Sequence, residues 1–123
     1  MIQPRSIVSI SDNTGAKIGR IFKVLGSSKK RYAEIGDIVV LSVQKAEPRK
    51  AVKKKDVLQA VVVRQKKAFR RKDGSYIRFD ENAVVILDKG KQEPLGGRIF
   101  GPIPRELAEL GYQTIASKAP EVV

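Results

Sequence analysis

Between residues 60 and 86 the hydrophobic pattern changes twice. Ala60-Val61-Val62-Val63 is a β-branched apolar run, residues 64–72 are polar and cationic apart from Ala68 and Phe69, Asp73-Gly74 is a turn signal, and Tyr76-Ile77-Arg78-Phe79 leads into a second apolar run, Ala83-Val84-Val85-Ile86. Runs of this length suit buried strands, and Asp-Gly between them favours a two-residue hairpin loop. The pattern predicts two core strands joined by a basic β-ribbon, anchored at its base and cationic at its tip. A two-residue loop sets Lys72 opposite Ser75, Arg71 opposite Tyr76, Arg70 opposite Ile77, Ala68 opposite Phe79, Lys67 opposite Asp80 and Lys66 opposite Glu81. In that register the base is charge-compensated, while Arg70, Arg71, Lys72 and Arg78 near the tip have only Asp73 as an acidic neighbour. A slip of one residue undoes these pairings and leaves the tip basic.

The flanking pattern is mostly strand. Ile7-Val8-Ser9-Ile10 and residues 16–25 read as a hairpin turned by Asp12-Asn13-Thr14-Gly15, with Ile18, Phe22 and Val24 on one face at period two. Gly26 to Arg31 is a basic loop, Gly36-Asp37 turns the chain, and residues 38–43 form a near-continuous apolar strand suited to a closed or well-covered sheet. Residues 47–56 show no core face and read as a surface connection with one helical turn near residues 53–57, and the next strand begins at Leu58. Pro104, six good helix formers and the stop at Gly111 predict one short helix whose Leu107 and Leu110 face the barrel, with residues 112–117 returning as a strand. Many short strands with regular turns and no internal repeat predict an all-β single domain over residues 1–123, a small β-barrel.

Charge gives this fold a direction. The chain carries a formal charge of +12, and residues 45–72 hold twelve Lys and Arg against Glu47 and Asp56, so this stretch alone supplies ten of it. Solubility needs only a modest, interspersed charge, whereas a field this uneven calls for a partner with dense negative charge, which nucleic acid supplies. The candidate RNA-binding residues are Lys29, Lys30, Arg31, Arg49, Lys50, Lys53, Lys54, Lys55, Arg64, Lys66, Lys67, Arg70, Arg71, Lys72 and Arg78. Phe69 and Tyr76 could also stack on exposed bases, although Phe69 and Phe79 read first as packing residues.

Composition removes other classes of function. The 123 residues, 41% hydrophobic with ten Gly and six Pro, are enough for a folded, turn-rich body with its own core. The chain has no Cys and no His, which excludes disulfides, thiolate metal ligands and Cys/His catalysis. No cofactor is expected. Residues 15–20 and 26–29 resemble phosphate loops only loosely, and Asp80-Glu81, the closest acids, point to opposite faces of a strand. No enzyme site can be assembled. No window approaches a membrane span, so a cytoplasmic protein without membrane contact is expected.

The 60–86 segment also has a longer pattern: Ala60-Val61-Val62-Val63, nine residues, Asp73-Gly74, four residues, Phe79, two residues, Asn82, two residues, Val85-Ile86. It resembles the signature of the large-subunit ribosomal protein fourteen family, in a bacterial or organellar form. The likeness continues through Met1-Ile2-Gln3, Asp12-Asn13-Thr14-Gly15-Ala16, Val24-Leu25-Gly26, Arg31-Tyr32-Ala33, Gly36-Asp37, Arg98-Ile99-Phe100-Gly101-Pro102, Arg105-Glu106-Leu107 and Ala119-Pro120-Glu121-Val122. The resemblance implies a five-stranded β-barrel with a protruding basic β-ribbon and a short C-terminal helix, bound to large-subunit ribosomal RNA. It further implies bridges to small-subunit RNA at the intersubunit interface, contact with neighbouring ribosomal proteins, notably large-subunit protein nineteen, and docking of a ribosome silencing factor. The protein-binding surface would comprise Gly97, Arg98, Ile99, Phe100, Gln113 and Thr114. The alternative is a free-standing β-barrel RNA chaperone or single-stranded RNA binder. Such proteins use an aromatic platform, and seven aromatic residues are few for one.

Overall fold

A computed structural model describes residues 2–26, 31–50, 52–88 and 92–123. The chain forms β1 (Ile7–Ile10), β2 (Ala16–Val24), β3 (Ile38–Ala46), β4 (Val57–Arg64), β5 (Phe69–Arg70), β6 (Tyr76–Ile77), β7 (Ala83–Ile86), β8 (Pro102–Ile103), α1 (Glu106–Glu109), α2 (Gln113–Lys118) and β9 (Glu121–Val122). Five strands close into a barrel in the order β1-β2-β3-β4-β7. Neighbours are antiparallel except β1 and β7, which close the ring in parallel through Ser9 against Ala83 and Ile10 against Val84. Closure leaves the barrel no free edge.

Two apolar clusters explain the uninterrupted hydrophobic runs of β4 and β7. Val8, Ile10, Ile21, Val39, Leu41, Val43, Ala60, Val62, Val84 and Ile86 fill the barrel. The alternate residues Val61, Val63, Ala83 and Val85 point outward and are covered by Ile99, Ile103, Leu107, Tyr112 and Ile115 from the C-terminal segment. Both faces of β7 and of residues 60–63 in β4 are therefore dry, and neither carries the polar residues of a half-exposed strand.

Several local expectations are corrected. In β2 the buried positions are Ala16, Gly19, Ile21 and Val24, while Phe22 is 51% exposed. Bulges between Ala16 and Ile18, Ile18 and Gly19, and Ile21 and Lys23 reset the face each time, which defeats a simple period of two. Residues 53–57 form a hydrogen-bonded turn rather than a helical one, and the connection does reach the core: Val52 is 2% exposed. The predicted helix is α1, but only Leu107 is buried, Leu110 being 55% exposed. In place of the expected strand over residues 112–117, residues 113–118 form α2, with its N-cap Tyr112 and its Ile115 both buried in the outer cluster. The short parallel pair β8 and β9, joining Pro102 to Glu121 and Ile103 to Val122, had no sequence signal.

The ribbon is present with its register shifted by one. Phe69 faces Ile77 and Arg70 faces Tyr76, the Arg71 N–H donates to the Ser75 carbonyl at 2.8 Å, and the Gly74 N–H donates to the Arg71 carbonyl at 3.0 Å. The loop thus has three residues, with Gly74 at φ 90°. Asp73 decides this. Its carboxylate accepts the Ser75 N–H at 3.0 Å and the Ser75 hydroxyl at 2.6 Å, which draws Ser75 back towards the loop.

Candidate nucleic-acid interface

The basic stretch that is continuous in sequence is divided in space. One part is the loop that precedes β4 and the other is the ribbon that follows it, so they lie at opposite ends of that strand. Eight extended residues span about 25 Å.

The loop presents exposed cations on a backbone hydrogen-bonded to the barrel. Arg49, Lys50, Lys53, Lys54 and Lys55 are all exposed. Beneath them, the Glu47 N–H donates to the Gly15 carbonyl at 2.7 Å and the Val52 N–H to the Thr14 carbonyl at 3.3 Å. Buried Val52 holds the loop to the barrel core. The turn to which the loop is tied depends on Asp12, whose carboxylate accepts the Thr14 hydroxyl at 2.6 Å, the Thr14 N–H at 3.3 Å and the Ile86 N–H at 2.9 Å. Burial pushes the Asp12 carboxyl above its ordinary range, and the Thr14 and Ile86 bonds offset part of that shift.

In the ribbon, Lys66, Lys67, Arg70, Lys72 and Arg78 are exposed. Two of the arginines assigned to RNA from sequence make internal contacts in the fold. Arg64 is 6% exposed; its guanidinium donates to the Phe100 carbonyl at 2.9 Å, the Pro102 carbonyl at 3.2 Å and the Ser11 hydroxyl, and pairs with Glu81 at 2.9 Å. It lies so close to Gly101 that a Cβ there would stand 2.2 Å from Nη1, at a backbone φ of 79° that favours glycine in any case. Arg71 pairs through Nε with Glu106 at 2.9 Å and donates to the Val123 carbonyl at 2.7 Å. The ribbon is therefore latched to α1 and to Val123 by Arg71, one of the four tip cations that the sequence left with only Asp73 as an acidic neighbour. Glu81 is taken by Arg64 and by the Ser9 hydroxyl rather than standing opposite Lys66. At the tip itself, the Ser75 hydroxyl and N–H hold the Asp73 carboxyl below its usual range.

Aromatic side chains are dispersed. Exposed Phe22, Tyr32, Tyr76 and Phe100 come from four separate segments. Phe79 and Phe100 do share an open cleft of about 740 Å³ with Ser9, Arg78 and Asp80. Arg31 is exposed, whereas Lys29 and Lys30 lie outside the described residues. Of the protein-binding candidates, Gly97, Arg98, Phe100 and Gln113 are exposed and Thr114 is half-buried, but Ile99 is 2% exposed and belongs to the outer core cluster. The segment is pinned by Asn13, which donates its N–H to the Arg98 carbonyl at 3.3 Å and accepts the Arg98 N–H at 3.2 Å. Sequence reasoning passed over exposed Arg5, which stands alone in a nearly neutral stretch. Among the described residues no cluster of acids could hold a metal ion, and no helix is long and apolar enough to cross a membrane. Across its full length, residues 1–123, the chain matches the family model described as Ribosomal protein L14p/L23e.

Proposed function

From its membership of the ribosomal protein L14p/L23e family, whose proteins are non-enzymatic structural constituents of the large ribosomal subunit, we propose that this chain holds large-subunit ribosomal RNA at both ends of its barrel. The observation that carries this reading is the pair of exposed cation groups, Arg49 to Lys55 at one end of β4 and Lys66, Lys67, Arg70, Lys72 and Arg78 at the other, on supports held by backbone hydrogen bonds. Phosphate contacts from such groups fix position and orientation without reading sequence. A rigid body with cations at two separated points suits a folded RNA whose phosphates are themselves fixed.

The reading extends to protein and intersubunit contacts. Exposed Gly97, Arg98 and Phe100, with Gln113 and Thr114 at the start of α2, form the proposed surface for large-subunit protein nineteen and a ribosome silencing factor, and the assembled subunit presents the chain to small-subunit RNA in bridges. A side chain added at Gly97 would meet nothing within 4 Å, which supports an accessible surface there. The deciding test is subunit incorporation. Substituting Arg70, Lys72 and Arg78 by Glu is expected to shift the protein from the large-subunit peak of a sucrose gradient to the top fractions, with its circular dichroism unchanged. Unaltered co-sedimentation would remove the ribbon from the RNA contact.

A further inference from the structure

One turn is built three times in this barrel, immediately before β1, β3 and β4. In the first, the Ser6 N–H donates to the Gln3 carbonyl at 3.0 Å and the Ser6 hydroxyl accepts the Gln3 N–H at 3.0 Å. In the second, Asp37 does the same to Glu34 at 3.0 and 2.7 Å, and in the third Asp56 does so to Lys53 at 3.2 and 2.9 Å. Each turn is then stitched to a strand residue buried in the barrel. Arg5 N–H donates to Ile21, Gly36 N–H to Val62 and Lys55 N–H to Val43, and each strand residue returns its own N–H to the carbonyl of Ser6, Asp37 or Asp56.

The third residue of each turn has a positive φ: Arg5 77°, Gly36 90°, Lys55 74°. This is the type II position, where glycine is favoured and a side chain is strained. At Gly36 a Cβ would crowd the Leu110 side chain, so glycine suits both the space and the backbone there. At the other two positions the side chains are exposed, and glycine would fit the same hydrogen bonds. Arg49, directly after Pro48, repeats the anomaly at φ 65°. Three long cations thus occupy left-handed positions that their fold does not require them to fill.

We propose that Arg5 and Lys55 are phosphate-binding residues for the RNA, one at each end of the barrel, occupied by cations at the expense of backbone strain. The inference rests on the RNA-binding reading above and adds to it a contact, Arg5, outside the basic stretch of residues 45–72. Locking the Cα of each residue by the turn and strand bonds leaves only side-chain freedom to be lost on binding, so each contact is preorganised. Because the turns before β1 and β4 lie at opposite ends of the barrel, the two residues also set its orientation against fixed phosphates.

The test uses the full chain, deproteinised large-subunit ribosomal RNA and the variants Arg5→Gly and Lys55→Gly, with Lys118→Gln as the charge control. Relief of strain is expected to raise the urea midpoint of both glycine variants. Loss of one phosphate contact is expected to reduce the slope of log affinity against log salt by about one in each, and not in the control. A slope unchanged in the glycine variants, equal loss in the control, or a lower urea midpoint overturns the proposal while the RNA-binding reading stands. Failure of the unsubstituted chain to bind this RNA removes both.

Discussion

Arg64 shows how little residue type alone says about an ionisable group. Its position in a cationic run suggests a free cation, yet it gathers two backbone carbonyls, a hydroxyl and a carboxylate from three distant segments. Arg64→Ala is expected to cost about 3 to 5 kcal/mol, measured by urea unfolding, because the buried acceptors lose their donor. Asp12 makes a prediction about pH. Unfolded, its carboxyl releases a proton near 3.8; folded, burial raises that value, so between the two the native state holds the extra proton. Stability contributed by Asp12 must then fall as pH rises through this window. The stability difference between the unsubstituted protein and Asp12→Asn, followed by urea unfolding across the acid range, should decrease with rising pH and level off above the native value. An increase would contradict the assignment of burial as the dominant cause.

At the scale of elements, the two basic segments differ in how they are held. The loop before β4 is secured by an apolar plug, and Val52→Ala is expected to cost about 2 kcal/mol through lost burial and the cavity left behind. The ribbon is secured by polar contacts at its tip. Arg71→Ala should cost only about 1 kcal/mol globally, since its ion pair with Glu106 is partly solvated. Locally the effect is larger: amide exchange of the bonds around Phe69–Arg70 and Tyr76–Ile77 should accelerate, with β4 and β7 still protected. Equal exchange in both proteins would mean that the Arg71 latch does not hold the ribbon.

The whole molecule turns a linear charge run into two separated groups of exposed cations. Groups about 25 Å apart on a rigid barrel have no shared partners, so their contributions to RNA binding should add. Replacing Lys53 and Lys54 by Gln, or Arg70 and Lys72 by Gln, should lower the salt slope by about two in each case, and the combined variant by about four, in filter-binding titrations against large-subunit ribosomal RNA. A combined loss no greater than either single loss would place both groups on one RNA site.

The barrel strands, the Asp73-Gly74 turn and the concentration of cations were legible because each depends on residues close in sequence: β-branched runs, a turn dipeptide, like charges in succession. The partners of Arg64 and Arg71, the burial of Val52 and the helical form of residues 113–118 were not, since each is fixed by groups that only the closed barrel brings near. Register shows the division most plainly. The Asp-Gly pair announced a hairpin, but the Asp73 bonds to Ser75 lengthened its loop, and the bulges in β2 chose which side chains face inward. Sequence determined which segments are apolar, which are cationic and where the chain turns; tertiary structure decided which cations stay exposed and which are paired within the fold, because charge is local to a residue while its neutralisation depends on whatever the fold sets beside it.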